Sequence, residues 1–182
     1  MILTIIIIII SKQPPNTVTR VRKSVNKRIA VLYGTETGNA EYCADLLTEA
    51  IEEAGFHAEP IDMGDYNAEQ IRDENLVFIV TSTYGNGDPP SNARQLLTFL
   101  KNDQSDYVTV KYAVCALGDS SYPFFAQCGK DFDEALGMRG AKRVIERIDC
   151  DEDFEDAFDQ FKAYVLHYLA SNQMELRTLF DM

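Results

Sequence analysis

The chain has 182 residues, 46% of them hydrophobic and 25% charged, which suits one domain with a sizeable core and excludes a highly charged disordered chain. Its 17 Lys and Arg stand against 29 Asp and Glu, a formal net charge of −12. Binding to a phosphate backbone needs cations that displace counterions, so this balance argues against nucleic acid as a partner and favours partners with basic surfaces.

The charge is unevenly spread. Residues 1–28 carry six basic side chains (Lys12, Arg20, Arg22, Lys23, Lys27 and Arg28) and no acidic one, so all 29 acidic residues fall in the remainder. Six isoleucines, Ile5 to Ile10, precede the basic stretch. As a helix, the first ten residues would reach about 15 Å, half of a bilayer's hydrocarbon core. The segment lacks the basic flank and small-residue cleavage site of a secretory signal. Residues 1–27 are expected to be a disordered tail, with membrane association as the other reading. Residues 28–171 are expected to form the folded domain, and 172–182 a C-terminal tail. The four cysteines, Cys43, Cys115, Cys128 and Cys150, form no CxxC pair; with only His57 and His167 beside them, they read as free buried thiols of a cytoplasmic protein rather than as metal ligands.

Strands and helices alternate along the body. Arg28 to Tyr33 is a short apolar run suited to a strand buried on both faces. Apolar residues from Gly38 to Ala54 recur at helical spacing, and Gly55 ends that helix. A weak strand is expected from His57 to Ile61 and a short helix from Ala68 to Asp73. Leu76 to Ser82 is the second buried strand, followed by a helix over Asn92 to Lys101. Tyr112 to Leu117 is the third, followed by a helix over Phe125 to Leu136. A last strand is expected from Arg143 to Ile148. A closing helix is striped by Phe154, Ala157, Phe158, Phe161, Val165 and Leu169. This order predicts an α/β fold, a doubly wound five-stranded parallel sheet with helices on both faces.

Such sheets bind ligands beyond the carboxyl ends of their strands, where strand order reverses. Three polar loops lie there. Gly34-Thr35-Glu36-Thr37-Gly38-Asn39-Ala40 offers hydroxyls and backbone N–H groups at a helix start, an anion cradle that needs no cation. It lacks the lysine of a triphosphate loop and the GxGxxG spacing of a dinucleotide fold; an ordinary strand-to-helix turn is the alternative. Ser82-Thr83-Tyr84-Gly85-Asn86-Gly87-Asp88 and Leu117-Gly118-Asp119-Ser120-Ser121-Tyr122 each set a tyrosine at the mouth of the crevice. Either tyrosine alone could be a rim residue. Two of them opposite an anion cradle suggest a slot for a planar phosphorylated ligand.

These three loops, in this order, resemble the FMN-binding loops of flavodoxin-like domains of the diflavin reductase type. Gly118 to Leu136 is most similar to sulfite reductase flavoproteins, with NADPH–cytochrome reductases also similar. The resemblance covers residues 28 to 170 and implies the flavodoxin fold with FMN as cofactor. It implies that Thr35, Glu36, Thr37, Gly38, Asn39 and Ala40 hold the phosphate. Ser82, Thr83, Tyr84, Gly85, Asn86 and Gly87, with Leu117, Gly118, Asp119, Tyr122, Phe125, Cys128 and Asp151, would surround the ring. Tyr84 and Tyr122 would flank it, and the Gly85 carbonyl would turn toward its central nitrogen. No catalytic side chain and no metal site is expected. Phe161 replaces a frequent tryptophan, a packing variation.

The resemblance implies a one-electron carrier, or the FMN module of a reductase system, cycling between semiquinone and hydroquinone. Its partners would be a reductase that supplies electrons and an acceptor with a basic docking surface. The chain lacks a recognisable FAD- and NADPH-binding module, so by this resemblance it would not take hydride from NADPH unaided. A reductase acting directly on a small acceptor such as a quinone, and a flavin-free interaction module, are the alternatives. A phospho-receiver fails because Gly34-Thr35 and Ser82-Thr83 stand where its acidic residues belong.

Overall fold

In the computed structural model, which describes residues 28–180, six parallel strands form one sheet flanked by helices on both faces. The chain runs β1 (Ile29–Gly34), α1 (Asn39–Glu53), β2 (Ala58–Asp62), a 3₁₀ turn (Ala68–Asp73), β3 (Leu76–Ser82), α2 (Arg94–Asn102) and β4 (Lys111–Leu117). It continues through α3 (Gln127–Met138), β5 (Lys142–Arg143), β6 (Ile148–Cys150), α4 (Glu155–Ser171) and α5 (Gln173–Leu179). The readings of residues 1–27, as tail or membrane segment, lie outside the described residues. Among the described residues, no helix is long and apolar enough to cross a membrane.

The strands lie in the order β2-β1-β3-β4-β5, with β6 also on β4. Side chains alternate across a strand, and the two cores show it. Ile29 and Val31 of β1 join Leu76, Phe78 and Val80 of β3 beneath α1 and α4. Ala30 and Leu32 join Val77 and Ile79 beneath α2 and α3. A strand covered on both faces has no polar alternation, which is why β1 and β3 are apolar runs. Phe161 packs its ring edge-on against Phe78, with centroids 6.5 Å apart, so the packing reading of that position holds.

Gly129 fixes how closely α3 approaches the sheet. A Cβ built there would lie 2.2 Å from the Ala116 Cβ of β4, so only glycine lets the helix lie this low, despite its cost in a helix interior.

Two expectations are corrected, and a third, the short helix over Ala68–Asp73, keeps its bounds. The single last strand over Arg143 to Ile148 is instead two short pieces, and the pairing register against β4 shifts by two residues between them. The interruption lets two guanidinium groups converge on the nearly buried carboxylate of Asp133 in α3, Arg147 at 2.7 Å and Arg143 at 3.2 Å, beside the Tyr112 hydroxyl at 2.8 Å. A buried charge needs such partners, since removing them leaves about 3–5 kcal/mol uncompensated. The short helix at Ala68–Asp73 is 3₁₀, with the Asn67 side chain accepting the Glu69 N–H at its start. The segment expected as a C-terminal tail carries α5, whose Leu176 is fully buried and is followed by the buried Phe180. Both side chains complete the core under α1 and α4.

Asp103, just past α2, accepts hydrogen bonds from Arg72 Nε at 2.8 Å and Tyr107 Oη at 2.6 Å, and also from Ser105. The Arg72 bond first, then those of Tyr107 and Ser105, hold its carboxyl well below the ordinary range. A carboxyl lowered in the folded state adds stability above its unfolded pKa of about 4, and loses it as pH falls through the folded value. Urea unfolding of Asp103→Asn is therefore expected to differ most from the parent chain above about pH 5, the two curves converging toward acid; parallel curves from neutral pH to pH 2 would show that the ion pair adds nothing.

Candidate functional site

The three loops expected to carry function meet at the carboxyl ends of β1, β3 and β4. They border a cleft of about 320 Å³ lined from the first loop by Thr37 and Asn39. The strand order places this cleft at the switch point. β1 is followed by α1 on one face of the sheet and its neighbour β3 by α2 on the other, so the loops leaving these two strands are drawn apart.

The first loop has the donor pattern of an anion cradle. Gly38, at φ 94°, turns the chain into α1, and its N–H donates to Thr35 Oγ1 at 2.9 Å. The backbone N–H groups of Glu36, Thr37, Asn39 and Ala40 have no partner among the described residues. Four neighbouring donors at a helix N-terminus, the positive end of its dipole, match a phosphate group. None of the described residues lining the cleft is a lysine or arginine, so their donor set is neutral.

The second loop is a tight tip. Tyr84 and Asp88 exchange backbone hydrogen bonds of 2.9 and 2.8 Å, leaving Gly85, Asn86 and Gly87 at the turn. Gly85 sits at φ 54° and Gly87 at φ 95°, a region that costs an L side chain about 1–2 kcal/mol. Thr83 pins this loop to α3 by accepting the Cys128 N–H on its Oγ1 at 3.1 Å.

The third loop is tied to the strand beside it. Gly118 donates its N–H to the Cys150 carbonyl at 2.9 Å. The Asp151 carboxylate accepts the Ser120 N–H at 2.8 Å and also the Ser120 hydroxyl. These bonds, the hydroxyl's first, hold the Asp151 carboxyl below its usual range, so it is an anion at neutral pH. Arg147 grips Asp149 at 2.6 Å and Asp133 at 2.7 Å, which anchors the same segment to α3. Tyr84 and Tyr122 are each 58% exposed at the mouth of the cleft, an apolar surface suited to covering by a flat ligand.

Of the residues proposed from sequence, Thr37, Asn39, Ser82, Thr83, Tyr84 and Gly85 line the cleft from the first two loops. Leu117, Gly118, Asp119, Tyr122, Phe125 and Asp151 line it from the opposite side. Thr35, Glu36, Gly38, Asn86 and Gly87 shape the loops without lining it. Two placements are corrected. The Cys128 side chain is fully buried, with its Sγ 3.4 Å from Thr81 Oγ1, because α3 turns that position inward. Burial raises its thiol pKa to about 12, the chemistry of a packing residue. The Ala40 methyl likewise faces the core, leaving only its N–H toward the loop. Sequence reasoning missed Phe124, Ala126, Glu152 and Phe154, which also line the cleft. Phe124 could have been found beside Tyr122 and Phe125. Ala126 could not, because nothing in the sequence signals a non-glycine residue held at φ 55°. His57 and His167 are exposed and do not line the cleft.

Gly85 has room for a side chain, since an added Cβ would come no closer than 3.6 Å to Asp88. Gly85→Ala should therefore act through the backbone alone, at a cost of about 1 kcal/mol, read as a fall of about 2–4 °C in melting temperature; an unchanged or higher melting temperature would refute the left-handed conformation.

Comparison with known proteins agrees with this geometry. The family model for flavodoxin matches residues 31–164. The flavoprotein alpha-component of NADPH sulfite reductase from Shewanella sp. (strain MR-7) is 41% identical over 139 residues, covering 76% of this chain and 23% of that protein. The protein of the same name from Bacillus subtilis (strain 168) is 40% identical over 134 residues, covering 73% and 22%. The chain thus spans less than a quarter of the length of these relatives. Among solved structures, a flavodoxin from Streptococcus pneumoniae TIGR4 superposes with a TM-score of 0.69 at 21% identity, covering 80% of this chain and 99% of that one. A cysteine-to-alanine variant of flavodoxin from Pseudomonas aeruginosa gives 0.69 at 25% identity, covering 79% and 99%. The chain belongs to the flavodoxin family, whose cofactor is FMN.

Proposed function

We propose that this chain binds FMN in the three-loop cleft and passes electrons one at a time to a protein partner, as the FMN module of a sulfite reductase-type flavoprotein system. The observation that carries this reading is the pairing of four unpartnered N–H donors at the start of α1 with two exposed tyrosines across the same cleft. That donor set fits a phosphate, and the tyrosines fit a planar ring.

Residues 28–171 would form the binding unit, with α5 added to its core. Thr35 to Ala40 would hold the phosphate through backbone N–H groups and hydroxyls. Tyr84 and Tyr122 would cover the ring and limit access by water and small acceptors, which disfavours direct hydride exchange with a substrate. The Gly85 carbonyl lies at a turn tip, where glycine permits the peptide to reorient. Bound FMN supplies the redox chemistry; the protein's residues set its potential and decide who can approach it. With no lysine or arginine among the described residues that line the cleft, Asp119, Asp151 and Glu152 add negative charge around the site. Like charges in a partly dry site repel, so these carboxylates should make the last, charge-adding reduction step harder and separate it from the first.

Stepwise anaerobic reduction, followed by visible absorption, tests this reading. Flavin bands with two separated one-electron steps are expected. A colourless protein that fails to bind added FMN would overturn it, and a single two-electron step would overturn the one-electron part.

The partner surface follows from charge. Asp151, Glu152, Asp153, Glu155 and Asp156 are exposed between the cleft and the start of α4. Acidic residues stabilise a helix N-terminus by themselves, but here Asp151 and Glu152 also line the cleft proposed to hold FMN. They would steer an acceptor with a basic docking face, and a reductase would supply the electrons. The four cysteines are all buried free thiols, in keeping with a reducing, cytoplasmic setting. Transfer rates to a basic acceptor protein such as a c-type cytochrome should fall steeply as ionic strength rises past about 0.1 M, where the screening length is about 10 Å; salt-independent rates would remove the steering role.

A further inference from the structure

Asn92 has no assigned role in the sequence reading, yet it joins three parts of the fold at one point. Its Oδ1 accepts the Thr35 N–H at 3.0 Å, at the entry to the anion loop. Its Nδ2 donates to Asp62 Oδ1 at 3.0 Å, at the end of β2. The same Asp62 oxygen accepts the Gly64 N–H at 2.7 Å and so closes the turn after that strand. The neighbouring Ser91 N–H donates to the Glu36 carboxylate, a second tie between the same two segments.

The position of Asn92 makes this use of its side chain possible. It lies just before Ala93, the cap position of α2, so its carboxamide is not the group placed to accept the first N–H groups of that helix. Here α2 begins without any side-chain cap; the Pro90 carbonyl accepts the Ala93 and Arg94 N–H groups instead. The carboxamide is turned away from its own helix toward a loop 57 residues earlier in the chain. Its effect on the cradle is specific. With the Thr35 N–H engaged by Asn92 and Thr35 Oγ1 accepting from Gly38, the loop entry is fixed at both its backbone and its side chain. The unpartnered donors that follow are then held in one arrangement before any anion arrives. Such preorganisation raises affinity by removing an ordering cost from binding.

We infer that Asn92 is a positioning residue for the anion loop, and that through Thr35 it sets the preference of this site for the phosphorylated flavin over its dephosphorylated form. The inference rests on the FMN reading above and deepens it. Because Asn92 acts on the phosphate end and not on the tyrosines, the ring should be bound equally well without it.

The test compares FMN and riboflavin on the flavin-free full chain, by quenching of flavin fluorescence. In Asn92→Leu, which keeps the volume and removes both hydrogen bonds, FMN affinity should fall roughly five- to tenfold, the worth of one well-placed hydrogen bond. Riboflavin affinity should stay within about twofold, well inside that same hydrogen-bond margin. Asn92→Ser, too short to reach Thr35, should change the ratio in the same direction and guards against a leucine variant that does not fold. An unchanged FMN-to-riboflavin ratio in a folded variant overturns the inference. So does an equal loss of both flavins, or failure of both variants to fold, since either would mark a purely structural role. A parent chain that binds neither flavin would instead refute the FMN reading itself, which separates the two failures.

Discussion

Covering both faces of a parallel sheet is the constraint on which the rest of this structure depends. β1 and β3 have no solvent face, so helices must lie on each side, and the connections that follow β1 and β3 run in opposite directions. The crevice at the carboxyl ends of the strands follows from that division. No loop residue creates it; the loops only furnish it. The low seat of α3 on β4 at Gly129 belongs to the same constraint, because it sets where Phe124, Phe125 and Ala126 meet the third loop.

The site is held by polar ties that run outward from the cleft rather than across it. Asp151 fixes Ser120, Arg147 fixes Asp149 to Asp133, Thr83 fixes the start of α3, and Asn92 fixes the entry to the first loop. Arg147 and Asn92 act from one step behind the cleft surface, whereas Asp151 and Thr83 also line it. The surface itself is left with neutral donors, exposed aromatic rings and carboxylates. A site built in this way would bind a phosphate without neutralising it, and its negative field would then bear on any further charge brought into the cleft.

Much of this was legible in the sequence because the signals were local. The buried strands are unbroken apolar runs, and Leu76–Ser82 has the same limits in sequence and in structure. The helices announce themselves by apolar spacing, and three loops of fixed order follow three strong strands. Other features were not local. The interrupted edge strand is set by Arg143 and Arg147 turning to a carboxylate on α3, and no run of residues 143–148 signals that pairing. α5 is too short to stand out, and is a helix because Leu176 and Phe180 find a core to enter. Cys128 sits at the edge of a loop motif, and only the rotation of α3 decides that it faces inward.

The sequence by itself determined the doubly wound architecture, the position of the ligand cleft and the chemical character of its three loops. These depend on periodicity, on glycine and hydroxyl placement, and on the order of segments along the chain. The tertiary structure alone decided which of the loop residues reach the cleft, which act from behind it, and that Asn92 belongs to a loop 57 residues away. Such contacts join segments with no shared pattern, and their geometry is set by how closely helix and sheet can pack, which emerges only when the chain is folded.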